Sequence, residues 1–227
     1  MRITRMSAGW LAGLAALAAV TSLAGRPAPM ALLFRDDFEQ GIEHWRPTDP
    51  AAWKLEQSPA GGIYRLVGAS QYRPKHRSPY NIALASQVLV GDFQLDVQVR
   101  STKRDYDHRD LCLIFGYQDP DHFYYVHFGK KTDDHANQIF IVDGAPRTKI
   151  STKTTPGTPW DDAWHHVRVT RNVATGEIAV YFDDLTAPVM TATDKTFAWG
   201  VVGVGSFDDT GDFDDFELRG TIARPKK

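Results

Sequence analysis

Phe93-Gln94-Leu95-Asp96-Val97-Gln98-Val99-Arg100 decides the fold class. Its apolar residues fall at every second position, with Gln, Asp, Gln and Arg between them. That period is the mark of a β-strand with one buried and one wet face. Working outward, residues 111–117 and 123–128 are apolar at consecutive positions, which predicts central strands covered on both sides. Residues 137–142 follow as a strand, Asp143-Gly144 as a two-residue hairpin turn, and residues 147–150 as the returning strand. Residues 165–170 and 177–182 read as two strands joined by the loop 172–176, and residues 201–207 and 213–218 close the series. Near the start, residues 32–38, 53–56 and 63–67 also read as strands, and 151–159, rich in Pro and Gly, as the longest loop. About a dozen short strands without an amphipathic helix predict an all-β, two-sheet antiparallel jelly-roll sandwich.

The ends of the chain carry other signals. Arg2 and Arg5, an apolar run over residues 10–20 and the small-residue pattern Ser22-Leu23-Ala24 have the layout of a secretory signal cleaved after Ala24. The apolar run is shorter than the roughly 20 residues that span a bilayer, which argues against a retained anchor. Residues 1–24 are therefore expected to be a signal peptide, 25–220 one sandwich domain and 221–227 a frayed tail, in a secreted or periplasmic protein without stable membrane insertion. The single cysteine, Cys112, lies inside an apolar run, so no disulfide supports the fold and the thiol reads as a small core filler. With a net charge of −2 and no basic patch, the chain lacks the electrostatic footprint of a nucleic-acid binder.

Four segments resemble known sandwiches of the concanavalin A-like lectin/glucanase superfamily. Residues 164–171 followed by 176–183 are similar to a hairpin of laminin-G-like domains. The opening Phe34-Arg35-Asp36-Asp37-Phe38-Glu39, with Trp45 soon after, resembles the first strand of secreted glucanase-like and lectin-like sandwiches. The closing segments 202–207 and 211–218 resemble their last two strands. Residues 115–127 look like secreted bacterial members related to the 3-keto-disaccharide hydrolase group. The resemblance implies a concanavalin A-like fold and a carbohydrate ligand, with a calcium ion structural where present. It departs from the laminarinase-type members, whose acids alternate as Glu-x-Asp-x-Glu along one strand; no such triplet occurs here. Retaining hydrolysis needs two carboxyl groups about 5 Å apart, so any such pair must come from different strands.

Three clusters could carry chemistry. Acids near both ends, Asp37 and Asp214 foremost, would meet if the first and last strands are neighbours, and could hold calcium, which takes about six to eight oxygens. In the second cluster, Phe123, Tyr125 and His127 share one strand face, and an antiparallel neighbour would set them beside Gln138 or Phe140. With Lys130, His135 and Asn137 in the adjoining loop, this makes aromatic faces and hydroxyl-binding groups suited to sugar. His127, His135 and Lys130 are the candidate acid–base residues. The third cluster is the Pro-interrupted loop 72–81, in which Arg73, His76 and Arg77 could grip an acidic sugar, an arginine doing so in bidentate fashion. His165-His166 reads as strand surface, Asp208 and Asp209 as turn caps, and Trp45, Trp53, Trp160 and Trp164 as packing.

The expected function is a carbohydrate-active protein, hydrolase-like and binding sugar on its concave sheet. A non-catalytic carbohydrate-binding or adhesion module is the alternative, and a polysaccharide lyase the second. Gln138-Ile139-Phe140 stands where sandwich-fold alginate lyases carry Gln-x-His, but with Phe in place of the histidine.

Overall fold

The alternation at residues 93–100 places Leu95, Val97 and Val99 in the core and makes their strand the backbone of one of two sheets. The computed structural model describes residues 30–59, 61–85 and 88–224; the expected signal peptide, and residues 225–227 of the expected tail, lie outside them. In chain order the strands are β1 (Ala31–Asp36), β2 (Trp45–Pro47), β3 (Trp53–Ser58), β4 (Gly61–Leu66), β5 (Asn81–Ala85) and β6 (Val90–Ser101). Next come β7 (Asp110–Asp119), β8 (His122–Gly129), β9 (Gln138–Asp143), β10 (Thr148–Lys149) and β11 (Ser151–Thr154). The last are β12 (His165–Arg171), β13 (Glu177–Phe182), β14 (Met190–Thr193), β15 (Val201–Ser206) and β16 (Gly211–Ile222).

A nine-stranded sheet runs β11-β14-β13-β12-β6-β16-β4-β3, with β1 also on β16. A seven-stranded sheet runs β10-β9-β8-β7-β15-β5-β2. All named pairings are antiparallel, so the expected two-sheet jelly-roll sandwich is the fold observed. Between the sheets, Leu95, Val97 and Val99 pack in one core with Leu113, Phe115, Tyr124 and Val126. The other face of β7 and β8 is buried too, in a second cluster of Ile114, Phe123, Tyr125, Phe140 and Phe207. Consecutive apolar residues there reflect double coverage, as the sequence implied.

The structure corrects the sequence in several places. Strand β11 occupies the front of the expected 151–159 loop, and pairs with β14 at the rim of the larger sheet. Its exposure on both faces removes the periodicity that would have revealed it. Gly144 does take the left-handed φ of 63° that a tight turn asks of glycine. The ladder, however, first closes between Ile141 and Thr148, so the connection is longer than a two-residue turn. Strand β16 continues to Ile222, past the boundary expected for the domain. Replacing Leu95, wholly buried between β12 and β16, by Ala should cost about 2–5 kcal/mol, read by chemical denaturation.

Candidate functional site

Strand register brings the second sequence cluster together on the outer face of the seven-stranded sheet. Tyr125 lies opposite Phe140 and His127 opposite Gln138, as expected of neighbouring antiparallel strands. The Tyr125 and Phe140 rings stack at 5.1 Å between centroids. Arg147, just before β10, covers them. Its guanidinium sits 4.4 Å from the Phe140 ring centre and 4.7 Å from that of Phe207, and donates to the Tyr125 hydroxyl at 2.7 Å. Burial pushes the Tyr125 hydroxyl far above its ordinary pKa, so it stays a neutral partner.

The irregular segment 68–80, kept from pairing by its prolines, lies beside this surface. Its Tyr80 meets Phe207 edge-on at 5.4 Å. Between the segment and the sheet is a pocket of about 200 Å³ lined by Arg77, Tyr80, Tyr106, His127, His135 and Arg147, among others. An adjoining hollow of about 310 Å³ shares Tyr80 and Phe207 and adds Arg73. Arg77, from the third sequence cluster, thus lines one pocket with His127 and His135, from the second. Arg77 is exposed and makes no hydrogen bond or ion pair among the described residues.

The floor of the pocket is polar and its side chains are largely buried. Asp110, on β7, is 3 % exposed and accepts a hydrogen bond from the Ser206 hydroxyl at 2.8 Å. His127, 5 % exposed, directs Nδ1 to the His135 carbonyl at 2.8 Å, which makes Nδ1 the protonated nitrogen. Its Nε2 lies 3.0 Å from Asp110 Oδ2, but without the angle of a hydrogen bond. Cys112, fully buried and directly opposite His127, brings Sγ to 4.0 Å from Asp110 Oδ1. Burial first, and then Asp110, raise the thiol pKa well above its ordinary value. Donor atoms of Asp110, Cys112 and His127 lie within 4.8 Å of one another, close enough to share one ion. Asp209, expected to cap a turn, is instead wholly buried beneath them. It accepts from the Tyr106 hydroxyl at 2.7 Å and the Asp110 N–H at 3.0 Å, and burial, then the Asp110 charge, raise its pKa.

Other candidates lie elsewhere. Lys130 pairs with Asp105 and does not line the pocket. Asn137, at a left-handed φ of 53°, donates to the Thr132 hydroxyl at 2.6 Å and the Thr155 carbonyl at 3.1 Å. Gln138 donates to the Asp133 carbonyl at 2.8 Å, so both amides brace the loop after β8. His76 is 3.7 Å from Asp121, and the Arg73 guanidinium is held by the Ser70 and Tyr72 carbonyls at 2.8 and 2.9 Å. His165 is no surface residue: it is buried with its ring nitrogens 3.2 Å from Asp161 and 2.9 Å from Asp183. Sequence reading passed over Arg147 and Tyr106 as site residues, since nothing local ties them to β8. Asp110-x-Cys112 facing a histidine across a hairpin was a legible signal, hidden by treating Cys112 as filler alone.

No protein-family model matches the chain, and no curated protein matches it in sequence. Solved structures share its fold. The carbohydrate-binding module CBM66 from Bacillus subtilis superposes with a TM-score of 0.55 at 18 % identity, over 78 % of this chain and 96 % of that one. A winged bean acidic lectin complexed with methyl-α-D-galactose gives 0.56 at 11 % identity, over 84 % and 98 %. The GH43 protein BlXynB from Bacillus licheniformis gives 0.53 at 13 % identity, over 82 % of this chain and 39 % of its own. Together with the two-sheet topology, these likenesses place the fold among the concanavalin A-like sandwiches.

The acids at the two chain ends do approach each other, because β1 pairs with β16. Asp37 and Asp214 are nevertheless outside the convergent donor set found among the described residues. Asp37 instead faces Arg35 at 4.0 Å, and Asp214 accepts the Asp215 N–H at 2.7 Å within a bulge where Asp215 has φ 45°. Burial, and then the charges of Asp215, Glu39 and Asp37, push the Asp214 pKa up to about 6. The folded protein therefore holds a proton that the unfolded chain has already lost, and stability falls as pH rises from about 4 to 6. Asp214→Asn should remove that slope and add about 1–2 kcal/mol at pH 7.5, after allowance for solvent screening, in denaturation curves across pH.

Proposed function

We propose that the protein binds carbohydrate in the pocket on the outer face of the seven-stranded sheet, and that an anionic sugar residue is its preferred ligand. The observation that carries this is Arg77: an exposed guanidinium with no hydrogen bond or ion pair among the described residues, at the rim of a pocket lined by Tyr80 and Tyr106. Aromatic rings offer faces to sugar C–H groups, and a free guanidinium matches a carboxylate bidentately. Arg147 and His135 line the same pocket and add positive or donor character. The fold likeness to a carbohydrate-binding module and to a lectin complexed with a galactoside supports the class of ligand.

A second reading, glycoside hydrolysis, draws on two acids, Asp110 and Asp208, lining the pocket with His127. Against His127 as the acid–base group stands its geometry, with Nδ1 committed to a carbonyl and Nε2 facing Asp110. Export by the leader at residues 1–24, and a structural calcium ion at Asp37 and Asp214, belong to this reading as proposals. N-terminal sequencing of the exported protein and calorimetric titration with calcium test them.

Calorimetry with oligosaccharides bearing uronic acids, set against their neutral counterparts, tests the main reading. Arg77→Ala should weaken the anionic ligand about 10-fold, as expected for loss of one charge-assisted contact, and leave neutral sugars nearly unchanged. Equal loss for both would remove the anionic preference, and no binding by any sugar would remove the reading. Mass spectrometry of the same mixtures separates the alternatives: hydrolysis adds water at each cut, whereas a binder leaves its ligand intact.

A further inference from the structure

The floor of the pocket holds a donor set that the sandwich itself does not require. Asp110 and Cys112 are two residues apart on β7 and so project to the same face, and His127 lies directly opposite Cys112 on β8. All three are at least nine-tenths buried, at 3, 0 and 5 % exposure. Their donor atoms fall within 4.8 Å of one another. A buried polar atom without a hydrogen bond is costly, and His127 Nε2 is such an atom, aimed at this cluster.

We propose that Asp110, Cys112 and His127 form a three-ligand site for a divalent transition-metal ion of the zinc class. The donor set selects the ion. Thiolate and imidazole suit zinc and its neighbours, whereas calcium takes oxygen ligands and has no use for Cys112. Charge agrees: a carboxylate, a thiolate and a neutral imidazole around a dication sum to zero, which suits three ligands that are themselves buried. On binding, the ion replaces the thiol proton, which passes to solvent, and takes up the unpartnered Nε2 lone pair.

The surroundings already hold two of the ligands in place. The His135 carbonyl accepts from Nδ1, which fixes the tautomer that leaves Nε2 free to ligate. The Ser206 hydroxyl donates to Asp110 Oδ1 and leaves Oδ2 on the His127 side. Asp110 and His127 also line the pocket, so the remaining coordination position faces it. Three protein ligands with an open position are the pattern of zinc sites that take a water or a ligand atom, not of closed structural ones.

The inference stands apart from the carbohydrate reading, because metal binding is measured without any sugar. The full chain, reduced and stripped with a chelator, is titrated with cobalt(II), and zinc is then added as competitor. One ion per chain is expected, with a thiolate-to-cobalt charge-transfer band that zinc abolishes. Binding should tighten with rising pH, as the thiol proton must leave. Cys112→Ser should remove the charge-transfer band, and His127→Gln should weaken binding at least 10-fold, with thermal melting used to confirm that each variant folds. Absence of stoichiometric binding to the wild-type chain would overturn the site regardless of how the variants fold. So would a charge-transfer band that survives in folded Cys112→Ser.

Discussion

Both faces of the β7–β8 hairpin are buried, and the rest of the molecule is arranged around that constraint. On the inner face Leu113, Phe115, Tyr124 and Val126 join the core of the sandwich. On the outer face Ile114, Phe123 and Tyr125 need a second cover, which Phe140, Phe207 and the guanidinium of Arg147 provide. Covering that face takes Asp110 and His127 out of water with it. Buried polar groups must be partnered, and the sequence supplies Ser206, Asp209 and the His135 carbonyl for the purpose. The pocket lies where this second cover stops.

The nine-stranded sheet solves its outer face differently. Gln94, Asp96, Gln98 and Arg100 stay polar there, and the one fully buried acid in that layer, Asp212, is clamped between Arg65 and Arg100. Asp96 gathers Gln94, His166 and Arg168 in the same way. These groups neutralise one another across neighbouring strands and hold the sheet together. The two outer faces therefore differ in kind. One is a lattice of acids paired with bases, and the other is an aromatic surface whose rim cation, Arg77, is unpaired among the described residues.

Much of the fold was legible because burial writes itself as periodicity. The expected strand 177–182 coincides with β13, and the doubly apolar runs marked the centre of the smaller sheet. What stayed hidden had no such imprint. Strand β2 is three residues long and ends in Pro47, β5 is only five residues, Asn81-Ile82-Ala83-Leu84-Ala85, directly after the Pro-interrupted loop, and β11 is solvated on both faces. The site was half legible for the same reason. Tyr125, His127 and Phe140 belong to strands whose register follows from alternation, so their meeting could be expected. Arg77, Arg147 and Tyr106 reach the pocket from segments with no period of their own, and only tertiary folding sets them there. Gln138 does lie opposite His127 as register implied, but its amide, like that of Asn137, bonds to the loop after β8, and Lys130 turns away to pair with Asp105.

Between Phe115 and Asp119 the β7–β8 ladder shifts its register, and Gly116 there adopts φ 58°. Counted without that shift from the Asp119–His122 pair, His127 would stand opposite Ile114 and not opposite Cys112. Such a slip moves a side chain by two positions, roughly 7 Å along the strand, yet keeps it on the same face. The apolar pattern would still fit, and the sandwich would still close. The bend in this hairpin thus works as a vernier: it leaves the architecture indifferent to the change while deciding which donors share a rung. A lineage that lengthened or trimmed the hairpin by residues in pairs could disassemble or rebuild the Asp110–Cys112–His127 set without passing through an unfolded ancestor.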